Sequence, residues 1–236
     1  MTGLNLAPIE LETLGDHAYA KIRQAILAGR FEPGEKLTIR NLSQQLNISP
    51  TPIRESLRRL AAEHAVEIAP NRYIRIPIMT VKELRELRDI RASLEGLATE
   101  RAVALISPAE ISELKKLDST IRKLREKTAV KPVVSTIQQF HFVIYRASDM
   151  PTLVRMIESL WLRTAPYVNL LFPGYSRTER GTMRATLLTA IINRDATSAR
   201  RLMEADIGGA LNYIIGLSTQ NETKSKEAPI RAIPIK

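Results

Sequence analysis

The sequence predicts a mostly α protein in two parts: an N-terminal winged helix-turn-helix with a small β-hairpin, and a C-terminal antiparallel bundle of about six helices. Three observations carry this. Two short amphipathic helices meet at a tight break near Asn47-Ile48; two β-prone runs follow around a Pro-Asn turn; and beyond Pro77 the pattern changes to long helices. The predicted domains are 14–77 and 80–217, with flexible ends at 1–13 and 218–236.

From Leu14, apolar residues at Ala18, Ile22, Ala25 and Ile26 mark a helix closed by Gly29 as C-cap, and Pro33-Gly34 is a turn. Ile39, Leu42 and Leu46 fall at i, i+3 and i+7, one buried stripe. Ser49 offers its hydroxyl as an N-cap, and Pro50 at the first helical position loses only an amide that had no partner. In the helix that follows, Ile53, Leu57 and Leu60 share one face, while Thr51, Arg54 and Arg58 lie opposite. Such a pair reads either as a helix-turn-helix or as a solvated amphipathic pair inside a bundle. The runs Ala65–Ala69 and Tyr73–Pro77 supply the wing that favours the first. No acidic residue interrupts the chain from Lys36 to Arg54, which suits a surface facing phosphate.

The 236 residues are 44% hydrophobic, enough for a real core, and carry 35 Lys+Arg against 25 Asp+Glu, a net charge of +10 that favours an anionic partner. The excess is spread out: residues 14–80 hold 10 basic and 6 acidic side chains, residues 81–217 hold 21 and 15, so charge alone does not locate a DNA-contacting part. There is no cysteine, which excludes disulfides, thiolate zinc sites and thiol nucleophiles. No apolar run reaches the length of a membrane span, and a soluble cytoplasmic protein is expected.

The stretches "AILAGRFEPGEKL", "LSQQLNISPTPIRESLRRLAAE" and "IAPNRYIRI" closely resemble the N-terminal domain of GntR-family bacterial transcription regulators. "LRDIRASLEGLATERA", "FHFVIYRAS" and "LLTAIINRDATSARRLMEADI" resemble the all-helical FCD domain of that family's FadR-like branch, so the likeness spans about residues 14–217. The resemblance implies a dimer that binds a pseudo-palindromic operator, most often as a repressor, and responds to a small molecule held in the helical half. It implies operator contacts at Arg40 and Arg54, hydroxyl and phosphate contacts at Ser49 and Thr51, and wing contacts at Asn71 and Arg72, with Arg58 a further phosphate contact or merely solvated. Many relatives carry Arg where Pro50 stands, so one common base contact is missing. The wing often has Gly where Tyr73 stands, which weighs against a close minor-groove approach.

The long helices are expected at 80–105, 107–128, 133–148, 151–171, 178–193 and 195–217, with Pro108 and Pro151 at helix starts and Pro166 bending its helix. On their apolar stripes sit Arg91 with Glu95 at its edge, His141 beside Tyr145, Arg184, and Asp206 with Tyr213. Charges withdrawn from water must be paired. Either Arg91 pairs with Glu95 and Arg184 with Asp206, or the arginines grip a small carboxylate such as a sugar acid, dicarboxylate or aromatic acid. Many FCD domains bind a metal through four positions that fall here at Ile137, His141, Arg184 and Asp206. An Ile and an Arg do not suit zinc, so no metal and no other cofactor is expected. The alternatives are a metal-dependent regulator using His141 and Asp206, an enzyme using them as an acid–base pair, and a non-specific DNA binder. A non-enzymatic regulator is favoured, because the chain lacks a phosphate-binding glycine loop.

Overall fold

The computed structural model describes residues 13–68, 73–126, 130–171 and 177–227. The head begins with α1 (Leu14–Leu27), opened by a capping box. The Thr13 hydroxyl accepts from the Asp16 N–H at 3.1 Å and the Asp16 carboxylate accepts from the Thr13 N–H at 3.0 Å. The helix closes as expected at Gly29, whose φ of 64° is left-handed. Gly29 N–H reaches the Ile26 carbonyl and Arg30 N–H the Ala25 carbonyl, a Schellman closure.

A two-residue strand β1 (Lys36–Leu37) precedes α2 (Ile39–Leu46), and Asn47 turns the chain with a left-handed φ of 52° into α3 (Pro50–Ala62). The wing is β2 (Glu67–Ile68) and β3 (Ile74–Arg75). The hairpin is there, but β1 makes it a three-stranded antiparallel sheet in the order β1-β3-β2, with Lys36 and Glu67 both opposite Arg75. Two residues are too few to show an alternating pattern, so β1 left no mark in the sequence. Asn71 and Arg72, at the tip, lie outside the described residues.

Ile22, Ile26, Ile53, Leu57 and Leu60 make the core of the head, each essentially sealed from water. Burial of each such side chain contributes about 1.5–3 kcal/mol. Ser56, also buried, donates to the Gly15 carbonyl at 3.0 Å and fixes α3 against α1.

The bundle consists of α4 (Val81–Leu105), α5 (Pro108–Glu126), α6 (Val130–Arg146), α7 (Pro151–Val168), α8 (Arg177–Ile192) and α9 (Ala196–Glu227). Pro108 and Pro151 stand at helix starts, and two residues after Pro166 helix α7 gives way to a 3-10 turn, Asn169–Leu171. The expected tail from 218 is corrected: α9 continues to Glu227, adding turns to a helix already nucleated. Ser218 and Thr219 return their hydroxyls to the carbonyls of Ile214 and Ile215. Residues 1–12 and 228–236 lie outside the described residues. Helices α4 and α9 pack so closely that a Cβ on Gly96 would sit 2.6 Å from the Glu204 carboxylate. Among the described residues no helix is long and apolar enough to cross a membrane.

Head and bundle are joined by polar contacts from α7 and the turn after it. Tyr167 bonds to both Pro77 and Met79 in the linker, Asn169 Nδ2 donates to the Gly29 carbonyl at 2.7 Å, and Arg23 meets Glu158 at 3.1 Å.

Candidate nucleic-acid interface and buried polar network

Helix α3 is amphipathic in the manner its spacing predicts. Ile53, Leu57 and Leu60 are buried, while Thr51, Arg54 and Arg58 stand exposed on the outer face. Arg40, on α2, is also exposed. Ser49 occupies the N-cap position, but its hydroxyl makes no cap bond, which corrects the expected cap. Its φ of −66° and ψ of 160° suit the position, and the exposed hydroxyl faces solvent at the helix N-terminus. Pro52, at the third helical position, has no N–H to offer, so one of the two amides that such a cap serves is already gone. The arrangement leaves a hydroxyl, remaining N–H groups and two guanidinium groups on one side of the head, groups suited to phosphate and base edges.

Tyr73 has a visible role in the wing. The ammonium of Lys36 lies 5.0 Å from its ring centroid and the guanidinium of Arg75 lies 5.8 Å from it. Arg75 also pairs with Glu67 across the strands. The ring thus supports two cations at the base of the wing.

In the bundle, Arg91 and Glu95 are both buried and paired, the first of the two readings that their i+4 spacing allows. Arg91 Nε donates to Glu95 Oε1 at 2.6 Å and Nη2 to Oε2 at 3.3 Å. Its Nη1 donates to the Thr164 hydroxyl at 2.7 Å, and its guanidinium lies 4.4 Å from the Trp161 ring centroid. Trp161 Nε1 adds a bond to Glu95 Oε2 at 3.1 Å, and the Tyr145 hydroxyl donates to the same oxygen. Burial, then the Glu95 charge, push the Tyr145 phenol well above its ordinary value, so it stays a donor. The buried carboxylate is therefore fully satisfied.

Arg184 does not pair with Asp206 as its stripe suggests. Its Nε donates to Asp118 Oδ1 at 3.0 Å, and Arg122 Nε donates to the other oxygen at 2.8 Å. Asp118 is buried between Leu114 and Ile121 on α5. Those three positions follow an i, i+4, i+7 stripe, so the signal that singled out Arg91 was available for Asp118 as well.

His141 is 2% exposed, stacked on Tyr145 and tilted against Trp161. Its Nε2 lies 3.2 Å from Asp206 Oδ2, close enough for an ion pair but without hydrogen-bond alignment, and Nδ1 has no hydrogen-bond partner. Arg91, His141, Trp161 and Asp206 border one cavity with Ile137 and Leu171. It measures about 20 Å³, room for about one water molecule. Of the other candidate residues, Glu95 and Tyr145 belong to the network of Arg91, Arg184 is held by Asp118, and Tyr213 packs against the core without bordering the cavity. The donor set does not fit a metal: Ile137 has none to give, Arg184 is cationic, and only His141 and Asp206 come together. Among the described residues no group of three or more His, Asp or Glu is placed to hold one.

Residues 14–76 match the family described as "Bacterial regulatory proteins, gntR family", and residues 86–209 match the FCD domain. The regulator McbR of Escherichia coli is 32% identical over 158 residues, covering 67% of this chain and 72% of McbR. The repressor GlaR of the same organism is 25% identical over 200 residues, 78% of this chain and 88% of GlaR. The solved structure of E. coli McbR/YncC superposes with a TM-score of 0.78 at 27% identity, over 90% of this chain and all of that one. With both domain matches in register with the head and the bundle, the chain belongs to the GntR family of bacterial transcription regulators, in the branch whose helical half is an FCD domain.

Proposed function

We propose that the protein is a homodimeric repressor in the cytoplasm that binds a pseudo-palindromic operator and responds to a small carboxylate taken up by its helical half. The outer face of α3 carries the DNA reading: Thr51, Arg54 and Arg58 are exposed while the opposite face is sealed into the head. Two such helices in successive major grooves place Arg54 on base edges, with Arg40, Ser49, Thr51 and Arg58 near phosphates. Asn71 and Arg72 complete the set as wing contacts.

The ligand reading rests on His141, a buried imidazole 3.2 Å from Asp206 but aligned for no hydrogen bond, which borders a cavity together with Asp206 and Arg91. A buried polar group left in this way calls for a partner that the folded chain does not supply. The cavity must open to admit a carboxylate, which would then compete with Glu95 for the Arg91 guanidinium. That competition gives the ligand unequal affinity for two arrangements of the bundle, the requirement for any effector.

Gel-shift titration tests the DNA half. Arg54→Ala is expected to weaken specific operator binding by about 1–3 kcal/mol, and unchanged affinity removes Arg54 from the interface. A thermal-shift screen against small carboxylates tests the other half: a stabilising acid should lose its effect in His141→Ala.

A further inference from the structure

Between head and bundle lies a second, far larger space, a crevice of about 960 Å³ whose walls are α1, the 135–146 stretch of α6, and α7. That volume is in the range of small-molecule sites. Its lining carries five cations against two carboxylates, and both acids are already engaged: Glu63 and Glu158 each meet Arg23, at 3.4 Å and 3.1 Å. Lys21 and Arg30 from the head and Arg146 and Arg155 from the bundle meet no carboxylate among the described residues. All four are exposed. Arg155 is oriented by a bond to the Thr152 hydroxyl at 3.1 Å, and Arg146 lies over the Phe142 ring at 5.5 Å.

Four uncompensated cations on two facing walls form a charge pattern without its complement. The crevice is lined by Glu63, at the C-terminal end of α3, about 18 Å along the helix from Thr51 at the rise of an α-helix. It therefore sits away from the base-reading turn, which argues against the operator as occupant. We propose that the crevice binds a small polyanion, a metabolite carrying at least two carboxylate or phosphate groups, which bridges the Lys21/Arg30 wall to the Arg146/Arg155 wall. Bidentate capture by the arginines supplies affinity, and the two-walled geometry selects for anions with separated charges. Such a ligand pins the head to the bundle. The Phe142 ring beneath it also meets Trp161 and Tyr145 edge-on, at 5.8 Å and 5.5 Å between centroids, so the site borders the Glu95 network without sharing its charged groups.

Isothermal titration of the full chain with citrate and with inorganic pyrophosphate, against acetate at matched ionic strength, tests this. At least one polyanion should bind ten-fold or more tightly than acetate, and the preferred probe distinguishes a polycarboxylate from a phosphorylated ligand. The double variants Arg146→Ser/Arg155→Ser and Lys21→Ser/Arg30→Ser, one on each wall, should each weaken that binding ten-fold or more. The charge-matched control Lys82→Ser/Arg101→Ser, on α4, should bind as the wild type does. Neither polyanion exceeding acetate, or wall variants that bind like the control, would overturn the proposal. Binding lost in His141→Ala but kept in both wall variants would also overturn it, while supporting the inner cavity proposed above.

Discussion

The hydroxyl of Tyr167 accepts a hydrogen bond from the backbone N–H of Met79 at 2.6 Å, joining the last turn of α7 to the linker behind the wing. It also donates to the Pro77 carbonyl at 3.1 Å. The neighbouring Val168 and Leu171 border the inner cavity. One short segment thus touches both the cavity and the head.

Tyr167→Phe should leave the buried Met79 N–H without its partner and cost about 1–3 kcal/mol. At this chain length each kcal/mol corresponds to about 2–4 °C in Tm. Hydrogen exchange should quicken at Met79 and the linker before it quickens in α4. Unchanged protection there would show that the phenol does not hold the head.

Glu95→Gln keeps the shape of the side chain but removes the charge that Arg91 faces. Breaking one side of a buried ion pair typically costs about 3–5 kcal/mol. Urea denaturation should show a loss of that order. A loss below about 1 kcal/mol would mean that Arg91 finds another anion once Glu95 is neutral.

Gly29→Ala asks an alanine to hold a φ of 64° and places a methyl 2.8 Å from Val134 Cγ1 across the domain boundary. The left-handed conformation alone costs about 1–2 kcal/mol. The steric conflict adds to this by pushing α1 away from α6. The expected result is a lower Tm and faster proteolysis between head and bundle; a Tm equal to the wild type would contradict it.

The Asp16 carboxyl is held down to about 2, first by the Thr13 N–H, then by the Arg59 guanidinium and the Thr13 hydroxyl. Its folded value lies below its unfolded value near 3.8, so its contribution is complete above about pH 4 and disappears as pH falls through 2. Asp16→Asn should lack this part of the acid limb. Thermal midpoints of the two proteins from pH 5 to pH 2 should therefore converge as the solution is acidified, and a constant gap would refute the assignment.

The helices, the break between α2 and α3, and the outward face of α3 were legible in the chain, because these depend on local periodicity and on turn residues such as Gly29, Asn47 and Pro50. The pairing of Arg91 with Glu95 was one of two readings open to the chain, since i and i+4 are neighbours on any helix, and the burial of both beside Thr164 and Trp161 realises it. Other features belonged to the tertiary structure. Arg184 and Asp206 sit on stripes that could face each other, but the packing of α5 against α8 gives Arg184 to Asp118 instead. Strand β1 exists because β3 offers it an edge, and α9 runs on to Glu227 because extending a helix costs less than starting one. A side chain's periodicity tells that it must turn inward. Which partner it meets there is decided by how whole helices pack, and no local pattern encodes that.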